Sequence, residues 1–298
     1  MQRSRLAIAA LGCFLIGTAA RAEELDGTLK KIRETGAIAL GHRESSIPFS
    51  YYDDKQQVIG YSQAIALKVV EAIERKLGLA ELKVGLNPVT SQNRIPLILN
   101  GTIDLECGST TNNAERQKQV AFSNSIFVVG TRLLTRKDSG IQDFNDLAGK
   151  NVVTTAGTTS ERLLRKLNAD RKLGMNVISA KDHGESFLTL ETGRAAAFMM
   201  DDALLYGELA KARKPDDWAV VGTPQSHEAY GCMMRKNDPQ FKATVDTAIA
   251  DLMRSGEAEK LYRQWFLSPI PPKGLNLDFP LSADMSALYA NPNDRALQ

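Results

Sequence analysis

Residues 101–122 read GTIDLECGSTTNNAERQKQVAF, and this stretch decides how the rest of the chain is read. The apolar run at residues 103–107 predicts a short strand that stops at Gly108. Ser109, Thr110 and Thr111 follow, and a polar helix is expected to begin near Asn113. A strand, a hydroxyl-rich turn and a helix start in that order suit an anion, because hydroxyls, free N–H groups and the positive end of the helix meet at one place. Arg116, about one turn inside, can reach back over the helix start and grip a carboxylate with two parallel hydrogen bonds. The same residues also read as an ordinary cap with a surface arginine, and the stretch by itself does not separate the two.

Working outward, the upstream pattern repeats the unit. Residues 37–42 predict a buried strand ending at Arg43, residues 63–77 a helix with apolar residues at helical spacing closed by Gly78, and residues 82–89 a second strand ending at Ser91-Gln92-Asn93-Arg94. Strand and helix in alternation define an α/β class with a mostly parallel sheet flanked by helices. Ligands bind past the carboxyl ends of such strands, and Arg43, Ser91 to Arg94, and Ser109 to Thr111 all follow strand ends directly.

Downstream, residues 125–135 form a β-rich run long enough to cross between two lobes. A second alternating unit starts at residues 151–155, with a Gly157-Thr158-Thr159-Ser160 turn, then His183 after another strand, and Asp201-Asp202 after an apolar strand. Residues 226–234 predict a returning crossing, and the last helices and the Pro-rich tail from Pro269 are expected to pack on the first lobe. The expected organisation is 23–130 with 229–298 as one discontinuous lobe and 131–228 as the other, closing on a small ligand between them.

Residues 1–22 read as a signal peptide: Arg3 and Arg5, an apolar run, then Ala20-Arg21-Ala22, with cleavage before Glu23. A lipid-anchored alternative through Cys13 fits less well. The mature chain is therefore expected to be exported. Removing this segment takes three arginines and no acid, so the net charge falls from +2 to −1 and no nucleic-acid partner is implied. The two remaining cysteines, Cys107 and Cys232, read either as a disulfide or as two buried thiols. Histidines at 42, 183 and 227 show no metal-ligand spacing, and no cofactor or metal is expected.

The stretches GHRESSIPFSYYD, TSQNRIPLILNGTIDLECGSTTNNAERQKQVAFS, GTTSE, ISAKDHGESF, AAAFMMDDALL, EAYGCMMRK and SGEAEKLYRQWF resemble the periplasmic amino-acid-binding proteins that feed ABC transporters, and within them the glutamate/aspartate-binding group. The broader family has an acidic residue after the glycine-aromatic pair opening its first long helix; here Ser62-Gln63 follows Gly60-Tyr61. The resemblance implies a two-lobe periplasmic-binding-protein fold of type II. It implies that Arg116, Thr111 and Thr159 hold an α-carboxylate, that Asp201 and Ser109 hold an α-ammonium, and that Arg43, Ser91, Arg94 and His183 surround a side-chain carboxylate. The implied partners are L-glutamate or L-aspartate and an inner-membrane ABC permease, with the protein a monomer and not an enzyme.

Each residue also has a plainer reading: Arg43 as a solvated charge, Arg94 as a helix-start residue, His183 as a loop or capping histidine, Thr159 as a helix cap. Asp201 ends an apolar strand, where a carboxylate is costly without a partner. Three arginines against one aspartate predict a site of charge +2, which would select acidic ligands by charge. The alternatives are a dehydratase on the same fold, with Glu106 or His183 as its acid–base group, or a binding protein for another anion.

Overall fold

The computed structural model describes residues 24–274 and 276–297. The signal-peptide and Cys13 readings lie outside the described residues. Two sheets carry the fold. In the first, strand Ala37–His42 runs parallel to Lys83–Pro88 on one side and to Leu105–Glu106 on the other; Glu228–Arg235 follows antiparallel and pairs with both Thr111–Asn112 and Val120–Val129. In the second, Asn176–Ala180, Asn151–Thr155 and Ala197–Asp201 are parallel, and Thr131–Arg136 and Trp218–Val221 complete it antiparallel. Each sheet is thus a parallel core of three strands with antiparallel crossing strands added, and so more mixed than the alternating pattern alone predicts.

The long β-rich run divides at Gly130. Its first half, Val120–Val129, belongs to the first sheet and its second, Thr131–Arg136, to the second. The return passes alongside: Gln225 N–H donates to Thr131 O at 3.0 Å, and the Thr131 and Ser226 hydroxyls are 2.6 Å apart. The two connections form a two-ply hinge. A small antiparallel sheet of Ser45–Ser46, Ser50–Tyr52 and Val58–Ile59 sits beside the first lobe's strand ends.

Helix Tyr61–Leu77 buries Ile65, Val69, Ile73 and Leu77, the spacing of one helical stripe, and ends at left-handed Gly78. The core beneath is aromatic: Phe127 stacks on Phe266 with centroids 4.7 Å apart and meets Phe49 edge-on at 4.9 Å. The expected closing helices are Pro239–Arg254 and Glu257–Phe266. The tail then adds a helix, Ala283–Ala290, and runs on along the first lobe, where Ser125 N–H donates to Asn293 O and Lys242 pairs with Asp294 at 2.9 Å. Cys107 and Cys232 are joined as a disulfide between the Leu105–Glu106 and Glu228–Arg235 segments.

Candidate functional site

Ser109, Thr110 and Thr111 form a short polar rail on which three guanidinium groups converge. Arg43 donates to Ser109 Oγ at 3.4 Å, Arg94 to Ser109 O at 3.2 Å and to Thr110 Oγ1, and Arg116 to Thr111 O at 2.8 Å. Arg43 and Arg94 are each only 1 % exposed and Arg116 4 %, so none is a solvated surface charge. Arg116 does reach back, as its position predicted, but from a helix of one turn, Ala114–Gln117, with Asn113 as its cap. So short a helix has little dipole to offer. The donors gathered at this turn are the guanidinium groups of the arginines.

The second lobe meets the rail directly. Arg116 Nη2 donates to Gly157 O at 3.4 Å, and the hydroxyls of Thr111 and Thr159 lie 3.3 Å apart. Thr158, not Thr159, caps helix Thr159–Asp170 by accepting from Glu161 N–H. This leaves the Thr159 hydroxyl free to face the first lobe. In the same way Asp182 caps helix His183–Glu191, so the His183 ring is not a cap. Its Nδ1 lies 2.8 Å from Thr155 Oγ1. Ser91 Oγ, Arg94 Nε and His183 Nε2 are buried without a hydrogen-bond partner among the described residues. Such orphaned polar atoms are rare in folded proteins. Here three of them occur among groups implied to surround one carboxylate.

Asp201 is buried at the end of its strand and caps nothing, although it stands at the N-cap of helix Asp202–Lys211. Oδ1 accepts from Thr131 and Ser160, each at 3.1 Å, and Oδ2 accepts from Tyr230. Burial, and then the nearby Glu228, push its pKa up to about 7, while the bonds from Tyr230 and Ser160 work against the rise. Burial, then Arg43, Arg94 and Lys211, hold the His183 pKa well below its usual value, so this imidazole is neutral. Burial also brings the Arg43 pKa down to about 10 and that of Arg116 to about 9, in both cases aided by Arg94.

The charge of +2 expected from the sequence counted Asp201 alone, and the structure sets two further carboxylates beside the arginines. Glu106, fully buried, accepts from Thr110 Oγ1 at 2.6 Å; Glu228, 7 % exposed, accepts from Thr111 Oγ1 at 2.6 Å and Thr159 Oγ1 at 2.8 Å. With Asp201, acids and arginines number three each. Yet no ion pair among the described residues involves Arg43, Arg94 or Arg116, which keep donors free of carboxylate partners. Glu228 and Tyr230 were missed as site residues because long-range strand pairing brings them there, whereas Glu106, weighed only as the acid–base group of a dehydratase, lies four residues from Thr110. Tyr230 sits opposite Thr111 in the ladder.

The closing surfaces are built around small residues. A side chain at Gly157, which has φ +78°, would meet Gln92 Cγ at 2.7 Å and its backbone N at 2.9 Å; one at Gly207 would lie 2.1 Å from Ile47 O. A fold of two lobes with a buried, arginine-rich cleft between them defines a solute-binding protein. Residues 38–268 match the model of the bacterial extracellular solute-binding proteins, family 3, and the chain belongs to that family. It is 66 % identical over 278 residues to the L-glutamate/L-aspartate-binding protein of Pseudomonas aeruginosa, covering 93 % of this chain and 92 % of that one. It is 60 % identical to the glutamate/aspartate import solute-binding protein of Escherichia coli, over the whole of both chains. Among solved structures it resembles a mutant of the arginine-binding protein of T. maritima, with a TM-score of 0.71 and 27 % identity over 80 % of this chain and 99 % of that one.

Proposed function

We propose that the protein captures L-glutamate and L-aspartate by closing its two lobes on them and delivers them to an ABC-type amino-acid permease. The observation that carries this reading is the convergence of Arg43, Arg94 and Arg116 on Ser109 to Thr111 with no ion-paired carboxylate, together with full-length relatives named for these two acids. In this reading Arg116, Thr111 and Thr159 hold the α-carboxylate, Asp201 and Ser109 the α-ammonium, and Arg43, Ser91, Arg94 and His183 the side-chain carboxylate.

Selectivity then rests on matching donors with acceptors more than on net charge. Arginine offers only donors, and the neutral His183 leaves Nε2 unpartnered; in the tautomer whose Nδ1 accepts from the Thr155 hydroxyl, that nitrogen is a donor as well. A carboxylate satisfies all of these groups, whereas the amide nitrogen of glutamine would put a donor against a donor.

The proposed lobe limits are 23–130 with 229–298, and 131–228; strand Glu228–Arg235 of the first sheet opens one residue earlier, so Glu228 itself moves with the first lobe. The protein works as a monomer in the periplasm after loss of residues 1–22, and its closed surface is what the inner-membrane permease reads. Calorimetric titration of ligand-stripped protein tests the central claim. Binding of both acids with none of glutamine is expected, and glutamine binding as tight as glutamate would remove Arg43 and Arg94 from the pocket.

A further inference from the structure

We infer that Glu228 is a positioning residue of this site: from the returning crossing strand, its carboxylate fastens the two ligand-holding turns to one another and so prolongs the closed, loaded form. The inference rests on the amino-acid-binding reading above.

Glu228 opens strand Glu228–Arg235, in which Ala229 and Tyr230 pair with Asn112 and Thr111. Glu228 and Thr111 therefore ride on one rigid sheet. Thr159 is the first residue of a helix on the other sheet and is spared capping duty by Thr158. A single oxygen, Oε2, accepts from both hydroxyls, at 2.6 Å from Thr111 and 2.8 Å from Thr159.

The bond to Thr111 lies within one lobe and survives opening. The bond to Thr159 spans the seam and exists only while the lobes are together. Glu228 takes part in no ion pair among the described residues, so these hydroxyls are its direct partners, with Arg116 supplying positive potential nearby. A buried carboxylate depends strongly on such donors.

The consequence is kinetic. Closure follows ligand capture by the open form, so a contact made only on closure lengthens the lifetime of the complex and leaves association nearly untouched. Two coordinates of one ligand, the Thr111 and Thr159 turns, are fixed together by a group that does not itself touch the ligand.

The test measures release of radiolabelled glutamate after dilution into excess unlabelled glutamate, with association followed separately. Glu228→Ala should release glutamate about ten- to hundredfold faster with association within about twofold of wild type, the range expected for one charge-assisted hydrogen bond. Thr159→Val, which also removes a hydroxyl that holds the α-carboxylate, should release glutamate at least as fast as Glu228→Ala, and the double variant should fall short of the sum of the two, since the Glu228–Thr159 bond is lost in both. Glu228→Gln, whose amide oxygen accepts from the same hydroxyls, should recover part of the lost lifetime and guards against a misfolded alanine variant. Unchanged release in Glu228→Ala and Glu228→Gln, or additive effects in the double variant, overturns the role of Glu228 while leaving the binding function in place. Wild-type protein that binds neither glutamate nor aspartate overturns the functional reading, and this role with it.

Discussion

The Tyr230 hydroxyl donates to Asp201 Oδ2 across the seam between the lobes, from the first-sheet strand Glu228–Arg235 to the end of the second-sheet strand Ala197–Asp201. Asp201 is thereby a carboxylate that is buried, hydrogen-bonded and still reluctant to ionise.

Its titration gives glutamate binding a pH dependence. The folded-state pKa is raised to about 7 from an ordinary value of 3.8, so the stability this group contributes is full below about pH 4 and is lost as pH rises through 7. A bound ammonium favours the ionised form and displaces the proton. At pH 6, binding should release most of one proton, read from calorimetry in two buffers of different ionisation enthalpy. Affinity should fall as pH is lowered from 7.5 to 5.5, by up to about tenfold per unit. In Asp201→Asn the release should disappear.

Among the described residues, Arg94 is an arginine whose Nε is buried without a hydrogen-bond partner. Arg94→Ala should weaken glutamate binding at least a hundredfold, about 3 kcal/mol or more, because a buried carboxylate is left without its charged partner. Arg94→Lys should rescue little, since one ammonium cannot replace a planar fork. Titration of both variants with glutamate and glutamine checks this, and a loss below about fivefold would place Arg94 outside the pocket.

Gly207 separates local stability from closure. It lies inside helix Asp202–Lys211, where alanine is the better helix former by about 1 kcal/mol, yet its added Cβ would lie 2.1 Å from Ile47 O. Gly207→Ala should bind glutamate at least about tenfold more weakly. Its radius of gyration in saturating glutamate should exceed that of wild type, while the melting temperature without ligand should not fall. A compact, tight-binding Gly207→Ala protein would show that the backbone yields there.

The disulfide joins residues 125 positions apart. Replacing Cys107 and Cys232 together by serine should cost about 2–5 kcal/mol of stability, from the added freedom of the unfolded chain. Denaturant titration measures this. Glutamate affinity at 25 °C should change little, because the bridge lies within one lobe.

Much of the molecule was readable one segment at a time. Strand and helix periods are local, so the alternating α/β order, the hydroxyl turn at Ser109 to Thr111, the polar strand ends and Arg116 all show in the sequence itself. Capping was less legible, because Thr158 and Thr159, or Asp182 and His183, are adjacent and backbone geometry chooses between them. The choice decides function, since only the residue freed from capping can face the cleft.

Two α/β units joined by extended crossings, with arginine and hydroxyl groups at their strand ends, are written in the local order of residues. The charge balance of the cleft and the fastening of its halves arise in the folded chain alone. Glu228 reaches Thr111 across 117 positions of sequence and Tyr230 reaches Asp201 across 29, through a strand register that no local pattern encodes. Chain connectivity places side chains on elements, and long-range pairing places the elements against each other. A site built on the seam between two sheets belongs to the second step.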